Sequence, residues 1–468
     1  MAHSKHIIFF ILFLSGLLFF YQLGNTALTN WDEAWFGSVA QDMAKSDKLL
    51  AGEWNGQIFF YEPPLLIWLL TIIIKVFGEN EFWLRSISAL SGVFTVIGCY
   101  LLTNKIAKSR SAGILASLII LSDIEILFRS RQINVEILLT VLLLWSIIFV
   151  VKVHEGNKLR WIIFSAICLG LAFLTKRASP LLALPAIGYI LLKTKPVLVN
   201  LFIFFITFIT ITFPWYLLSY LKWGDQFINE FFIGYTFNKI RSVNSSIGTS
   251  PFFYLNSIKH AFKFWALLIP LATVWAALKS FSDHNIRGPL IFVLSFLFFL
   301  TLAPIKSSWF LLPIHPILAV ITGLFINNIY KSYKHYCAFL YIIVLSCTVL
   351  ISLFQFIRYR HDYIVPDTTA NQALISKLAG TLSSEGQKIF LDDEYLPVAV
   401  FYSRKRVIPL RFSRITNPVP SLTEIPEGSL VLTNTETFSV LKSTTEILFE
   451  KLFSVGDLFL VKAKGIKA

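Results

Sequence analysis

The chain has 468 residues, of which 56% are hydrophobic and only 15% are charged. That is more apolar surface than the core of one soluble domain can bury, so the composition predicts a polytopic membrane protein. The net charge of +14 does not indicate nucleic-acid binding, because the lysines and arginines form short clusters between apolar runs without a basic face.

The first predicted element is an apolar run at residues 7–23, which is about long enough to cross a bilayer. Only a poor cleavage site follows it, so we expect an uncleaved first transmembrane helix. The stretch TNWDEAWF comes next and places the adjacent acids Asp32 and Glu33 between two tryptophans. Tryptophan is typical of membrane interfaces, so both acids are expected near the membrane surface.

The run at 63–77 decides the topology of everything after it. It is short for a crossing, begins with two prolines and carries Lys75, which favours an interfacial helix. If it lies on the surface, the later basic clusters face the cytoplasm together with Lys5; if it spans, all except Lys5 face out. The positive-inside rule therefore predicts about eleven transmembrane helices plus a juxtamembrane helix, with an inside N-terminus and an outside C-terminus. The other apolar runs lie at 86–103, 112–128, 136–151, 161–175, 180–192, 198–220, 262–278, 289–305, 309–327 and 336–357.

This topology collects a second set of charged residues at or just beyond outward-facing helix ends. Outward-facing lysines and arginines oppose the topological bias, so we interpret the set as including an anion-binding site. For any one basic residue, the alternative is a side chain that reaches lipid head groups. The set comprises Asp32, Glu33, Glu62, Arg129, Arg131, Glu136, Lys176, Arg177, Arg241, His260 and Lys306.

The composition changes after residue 357. Polar residues increase, the apolar runs shorten to about five or six residues, and Pro and Gly separate them. This pattern predicts a small α/β domain on the extracytoplasmic face at 358–468, following a transmembrane domain at 1–357. The chain has no glycine-rich nucleotide loop, so use of cytoplasmic ATP is not indicated.

Six stretches carry a family resemblance: WDEAWF, YEPPLLIWL, RSRQINVEILLT, GLAFLTKRASPLLALP, FPWYL and KSSWFLLPIHPILAVITG. They occur in the order seen in lipid-linked-sugar glycosyltransferases of the GT-C fold. The chain most resembles the branch that contains the protein O-mannosyltransferases and the lipid A aminoarabinose transferases. The resemblance spans roughly residues 7–360 and is most specific from Lys306 to Gly323.

The resemblance implies a transferase that uses an undecaprenyl- or dolichyl-phosphate-linked sugar on the outer face. It implies Asp32 as the catalytic acid after the first helix and Glu136 as the second acid, which is usually Asp in the family. Glu33 joins this catalytic set as the neighbour of Asp32. Its alternative is to pair with a cation or to start a helix through the helix dipole, whereas the alternative for Asp32 is an N-cap.

Basic residues are implied around the lipid phosphate at Lys176, Arg241 and Lys306. The family usually has Glu-Lys-Pro-Pro where this chain has Tyr61-Glu62-Pro63-Pro64, so a lysine expected at the phosphate is absent. Either Arg177, which stands where the family usually has Gly, compensates for it, or donor recognition has changed. Glu62 and Arg177 are therefore included among the substrate-binding candidates.

The chemistry of a glycosyl phosphate is consistent with these residue types. The donor already contains a leaving group, so the enzyme must deprotonate an acceptor hydroxyl and stabilise the departing phosphate. Asp32 would act as the base while the cations offset the phosphate charge. Single displacement would invert the anomeric centre. The expected partners are a polyprenyl-phosphate sugar, membrane lipid and a protein, lipid or glycan acceptor, without nucleic acid.

No cofactor is certain from the sequence. A divalent metal is possible, with Glu62 and His260 as ligands beside the acid pair, although these residues are far apart in the sequence. For His260 the alternative is a head-group contact.

Two other functions remain open from the residues alone. A polyprenyl-lipid transporter or flippase would place charges near the bilayer midplane, whereas here they gather at one face. A receptor or scaffold would not need so many helices. The composition, rich in Phe and Ile with Lys outweighing Arg, is typical of an AT-rich bacterial genome. Together with the predicted topology and the resemblance, this leads us to expect the inner (plasma) membrane of a bacterium, with the site facing the periplasm or exterior.

Overall fold

The computed structural model describes residues 2–155, 158–234, 250, 252–362, 367–392, 396–410 and 425–466. Their backbone packs into two units. Unit 1 comprises the described residues within 1–23, 60–66 and 85–362, and unit 2 comprises those within 24–59, 67–84 and 363–468.

Helices account for most of the described residues before 363. The earlier ones are α1 (Ala2–Phe20), α2 (Asp32–Ser46), α3 (Leu65–Phe77), α4 (Glu81–Ala107), α5 (Arg110–Leu121), α6 (Ile124–Arg129), α7 (Val135–Val151), α8 (Lys158–Phe173) and α9 (Leu184–Leu192). The later ones are α10 (Val197–Trp223), α11 (Asp225–Phe227), a π-helix (Ile228–Gly234), α12 (Phe253–Phe262), α13 (Leu268–Lys279), α14 (His284–Leu302), α15 (His315–Ser332) and α16 (Lys334–Asp362). Short 3₁₀ helices occur at Lys152–His154, Ser179–Ala183, Lys263–Trp265 and Ser308–Ile314.

Several of these helices suit a membrane. Within the described ranges, five are long and apolar enough to cross one, and a sixth span results if Phe253–Trp265 and Leu268–Lys279, bent by 104°, count together. Shorter apolar helices include Ile8–Phe20 and Leu65–Phe77. The second lies in the apolar run at 63–77, for which the sequence predicts a short helix. An α-helical polytopic membrane protein is therefore confirmed, while the number of about eleven crossings stays a prediction.

Unit 1 contains a polar helix cap and a close approach between two helices. Asn134 caps α7, because its Oδ1 accepts hydrogen bonds from the amides of Glu136 at 2.9 Å and Ile137 at 3.3 Å. A Cβ on Gly323 would stand 3.0 Å from the Cβ of Ala116, so this glycine allows α15 and α5 to approach closely. Ile137, at the start of α7, is fully buried, so the cap fixes the end of a helix that is already held by packing.

Unit 2 contains a hairpin, β1 (Glu53–Trp54) and β2 (Gln57–Ile58), and a five-stranded sheet of order β4-β3-β5-β7-β6. Strand β3 pairs in parallel with β4 and β5, whereas β7 pairs antiparallel with β5 and β6. The sheet strands are β3 (Ile389–Asp392), β4 (Val407–Pro409), β5 (Leu430–Asn434), β6 (Ile447–Val455) and β7 (Leu458–Ile466), and the helices of this region are α17 (Asp367–Leu382), α18 (Leu396–Ser403) and α19 (Thr435–Thr444).

The described tail residues thus form a mixed α/β arrangement whose core includes Phe390, Val431, Leu441 and Val461. In the structure they belong to the same unit as residues 24–59 and 67–84. The predicted division at 357/358 and the extracytoplasmic location of the tail stay predictions.

Candidate functional site

Asp32 is the first residue of α2 and its side chain is exposed. The N-cap position belongs to Trp31, with φ 63° and ψ −112°, so the alternative role of Asp32 as the cap is not supported. Positive φ is uncommon for a bulky residue and indicates backbone strain, which persists only where surrounding contacts determine it. A carboxylate in the first helical turn is also favoured by the helix dipole.

Glu33 has a different environment from its neighbour, because it is buried. Its Oε2 accepts hydrogen bonds from the backbone amide of Thr29 at 2.8 Å and from the Thr29 hydroxyl at 3.0 Å. The carboxylate therefore fastens the turn that leads into α2. This geometry supports a structural role for Glu33 at the start of the helix. Of the two acids, Asp32 is the one whose side chain is exposed.

Glu136 and Lys176, which lie 40 residues apart in sequence, are brought into contact. The Asn134 cap places Glu136 in the first turn of α7, and its Oε1 accepts a hydrogen bond from the Lys176 ammonium. The side chains are 7% and 14% exposed respectively, and the Lys176 Nζ lies 4.9 Å from the ring centroid of Phe310. In the part of the chain that the structure describes, Glu136 Oε2 is buried without a hydrogen-bond partner, so it is positioned to receive a donor.

Arg177 braces two backbone segments. Its guanidinium donates to the carbonyls of Phe60 at 3.0 Å and of Tyr61 on one side, and to the carbonyl of Phe231 on the other. Its Cζ also lies 4.4 Å from the Phe231 ring centroid. The planar fork of an arginine suits several fixed acceptors. Arg177 thus ties the backbone just before Glu62-Pro63-Pro64 to the π-helix.

The remaining predicted residues have varied surroundings. Glu62 is half-buried directly after the segment held by Arg177. Lys306 is half-buried between α14 and the Ser308–Ile314 helix, and no hydrogen bond or ion pair joins it to another described residue. His260 is exposed in the last turn of α12. Arg241 lies outside the described residues.

A metal centre has no support in the ranges that the structure describes. No three His, Cys, Asp or Glu side chains there are grouped so that they could hold a metal ion. Glu62 and His260 therefore do not belong to such a group.

Sequence reasoning missed a buried pair in unit 1. His315 Nδ1 lies 2.8 Å from Asp123 Oδ2, while Asp123 Oδ1 accepts from the amide of Ile126 at 3.0 Å and caps α6. Both side chains are fully enclosed. Two features of the sequence could have indicated this pair. Asp123 interrupts the apolar run at 112–128, and His315 lies in the most specific stretch of the resemblance.

Sequence comparisons identify relatives among glycosyltransferases. Residues 61–218 match the family model described as dolichyl-phosphate-mannose-protein mannosyltransferase. A protein of Aquifex aeolicus described as uncharacterized is 28% identical over 72% of this chain and 68% of its own length. The undecaprenyl phosphate-alpha-4-amino-4-deoxy-L-arabinose arabinosyl transferase 1 of Pseudomonas fluorescens is 24% identical over 66% of this chain, which spans 57% of that protein.

The fold comparison covers almost the whole chain. The crystal structure of ArnT from Cupriavidus metallidurans bound to undecaprenyl phosphate has a TM-score of 0.77 and 15% sequence identity, and 97% of each chain is covered. At this identity the likeness establishes the fold. Sequence and fold together confirm the predicted resemblance: the chain is a GT-C-fold membrane protein related to the protein O-mannosyltransferases and to the aminoarabinose transferases.

Proposed function

We propose that this protein transfers a sugar from a polyprenyl-phosphate-linked donor to an acceptor hydroxyl on the extracytoplasmic face of a bacterial plasma membrane. The observation that carries the proposal is the exposed Asp32 at the start of α2, the residue that the resemblance implies as the catalytic acid. The name of the Pseudomonas fluorescens relative and the undecaprenyl phosphate bound to ArnT support the donor class.

In this mechanism Asp32 accepts the proton of the acceptor hydroxyl as the oxygen attacks the anomeric carbon. The bond from that carbon to the phosphate oxygen breaks, and polyprenyl phosphate leaves with the bonding electrons. Attack opposite the leaving group inverts the anomeric centre. No covalent intermediate with the protein is required.

The leaving phosphate needs positive charge that is not already neutralised. Lys176 is matched by Glu136, so this pair has about zero net charge and offers the phosphate a hydrogen-bond donor rather than excess charge. Lys306, which has no anionic partner among the described residues, is better placed to supply net charge, and Arg241 is proposed to assist it. Because the Arg177 donors contact backbone carbonyls, we assign it primarily to holding the segment around Glu62.

The test measures bond cleavage in a defined membrane. The purified protein in liposomes is given undecaprenyl-phosphate sugars and candidate acceptors, and mass spectrometry follows sugar-free undecaprenyl phosphate and glycosylated product. The proposal requires both to appear in equal amounts. A polyprenyl-lipid flippase would move the intact donor between leaflets without cleaving it, and that result would replace the transferase proposal. The relatives found do not favour this alternative.

A further inference from the structure

The turn at residues 28–31, directly before Asp32, is held by the side chain of Tyr402, which lies near the other end of the chain. The backbone amide of Leu28 donates to the hydroxyl oxygen of Tyr402 at 2.8 Å. The same hydroxyl donates to Glu81 Oε1 at 2.9 Å. Tyr402 is buried, and all three residues belong to unit 2. The tyrosine hydroxyl therefore accepts one hydrogen bond and donates another. These two bonds join Leu28, Tyr402 and Glu81 in a clamp.

A second contact from α18 reaches the same turn. The backbone amide of Val398 donates to Asn30 Oδ1 at 3.3 Å. Further along α2, a Cβ on Gly37 would stand 2.9 Å from the Phe401 ring, so the two helices are in close contact there. Helix α18 thus reaches the Asp32 segment on both sides of the helix start.

The turn itself needs such support. Trp31, directly before Asp32, has a positive φ of 63°, a conformation that a bulky residue keeps only when its surroundings impose it. Glu33 holds the turn from within through Thr29. Tyr402 and Val398 hold it from α18. Relaxation of Trp31 would change the direction in which the Asp32 carboxylate leaves the helix start.

We propose that Tyr402 is a positioning residue for the reaction, and that the C-terminal α/β region serves to hold Asp32 in its productive orientation. This inference rests on the proposed function, in which Asp32 is the base. Tyr402 acts through the backbone at Leu28, so it should affect turnover rather than the binding of the donor phosphate.

The decisive variant is Tyr402→Phe, which removes the hydroxyl and keeps the ring, whose centroid lies 4.9 Å from Lys377 Nζ. We expect kcat to fall about tenfold while KM for the donor stays unchanged, because an interaction needed only to align the base is lost. Glu81→Gln keeps an acceptor oxygen for the tyrosine hydroxyl, so it should retain nearly wild-type kcat. Full kcat in Tyr402→Phe would overturn the inference.

A matched control separates positioning from general damage to the tail. Asn434 caps α19 by accepting from the amide of Thr437 at 2.8 Å, and it takes no part in the hydrogen bonds that Tyr402 and Val398 make with the turn. Asn434→Ala should lower thermal stability as much as Tyr402→Phe and leave kcat unchanged. Equal losses of kcat in both variants would show that the tail acts only through stability.

Hydrogen exchange provides a readout that does not depend on activity. In Tyr402→Phe, the amides of residues 28–34 should exchange faster, while those of α19 should not change. Unchanged exchange at 28–34 would overturn the inference even if the wild-type protein transferred no sugar. Failure of the proposed function would instead appear as absent donor cleavage in the wild type, with the clamp still detectable by exchange.

Discussion

Lys176 and Glu136 form an ion pair between the turn after α8 and the first turn of α7, and both side chains are largely enclosed. Removing charges from water is costly, and the pair recovers that cost only while both partners are present. The pair is also nearly neutral as a whole. It therefore orients a lysine and an acid without adding much attraction for an anion.

The first prediction concerns this pair. Lys176→Met leaves Glu136 buried without its cation and should destabilise the protein by about 3–5 kcal/mol. The double variant Lys176→Met with Glu136→Leu removes both charges and should regain much of that loss. Thermal unfolding in detergent measures both. Equal or additive destabilisation in the double variant would contradict a coupled pair.

The second prediction concerns Lys306. If it makes a buried charge-assisted contact with the donor phosphate, Lys306→Ala should weaken donor use by about 2 kcal/mol or more, measured as kcat/KM. The control is Lys279→Ala, which removes an exposed lysine and should cost less than about 0.5 kcal/mol. Similar small effects in both variants would assign Lys306 to lipid head groups.

The third prediction distinguishes the two explanations for the missing family lysine. If Arg177 mainly braces the backbone, Arg177→Lys should lower the unfolding temperature, because a single ammonium cannot reproduce the planar fork. Donor KM should then change little. A large rise in donor KM with intact stability would mean that Arg177 contacts the phosphate.

Glu62→Lys restores the family residue at this position. Better use of a standard donor by this variant would show that the change from lysine to Glu62 altered donor recognition.

The pair of Lys176 and Glu136 also shows how far the sequence could lead. Resemblance predicted both residues as members of a site, but not their contact, because a separation of 40 residues becomes proximity only through the packing of α7 on α8. Asp123 and His315, 192 residues apart, illustrate the same limit. Each alone looks like a polar interruption of an apolar helix, and only the fold shows that they satisfy each other.

Hydrophobic patterning predicted the helical membrane class well for a physical reason. Lipid-exposed backbone must satisfy its own hydrogen bonds, so long apolar runs become helices. The same patterning could not predict that residues 24–59 and 67–84 group with the tail in one unit. That grouping depends on specific contacts, such as the two hydrogen bonds of 2.8 Å between the Asn55 side chain and the Val407 backbone.

The fourth prediction tests the topology. Single cysteines at Lys108, Ala178 and Lys442, which are all exposed, can be introduced in a background without the native cysteines. An impermeant thiol reagent should label Ala178→Cys and Lys442→Cys from outside and Lys108→Cys only after the membrane is opened. Labelling of position 178 from inside would mean that the Leu65–Phe77 helix spans the membrane, and the outward-facing charged set would be lost.

The last prediction concerns the two acids at the start of α2. Asp32→Asn keeps the size of the side chain but removes its ability to accept a proton, so kcat should fall by about 10²-fold or more while the protein remains folded and inserted. Because Trp31 occupies the cap position, stability should change by less than about 1 kcal/mol, mainly through the helix dipole. Glu33→Gln supplies the comparison: it weakens the acceptor of two hydrogen bonds from Thr29, so it should lower the unfolding temperature and affect turnover less than Asp32→Asn. Transfer that survives Asp32→Asn but collapses in Glu33→Gln would exchange their roles, and survival in both would assign both acids to structure alone.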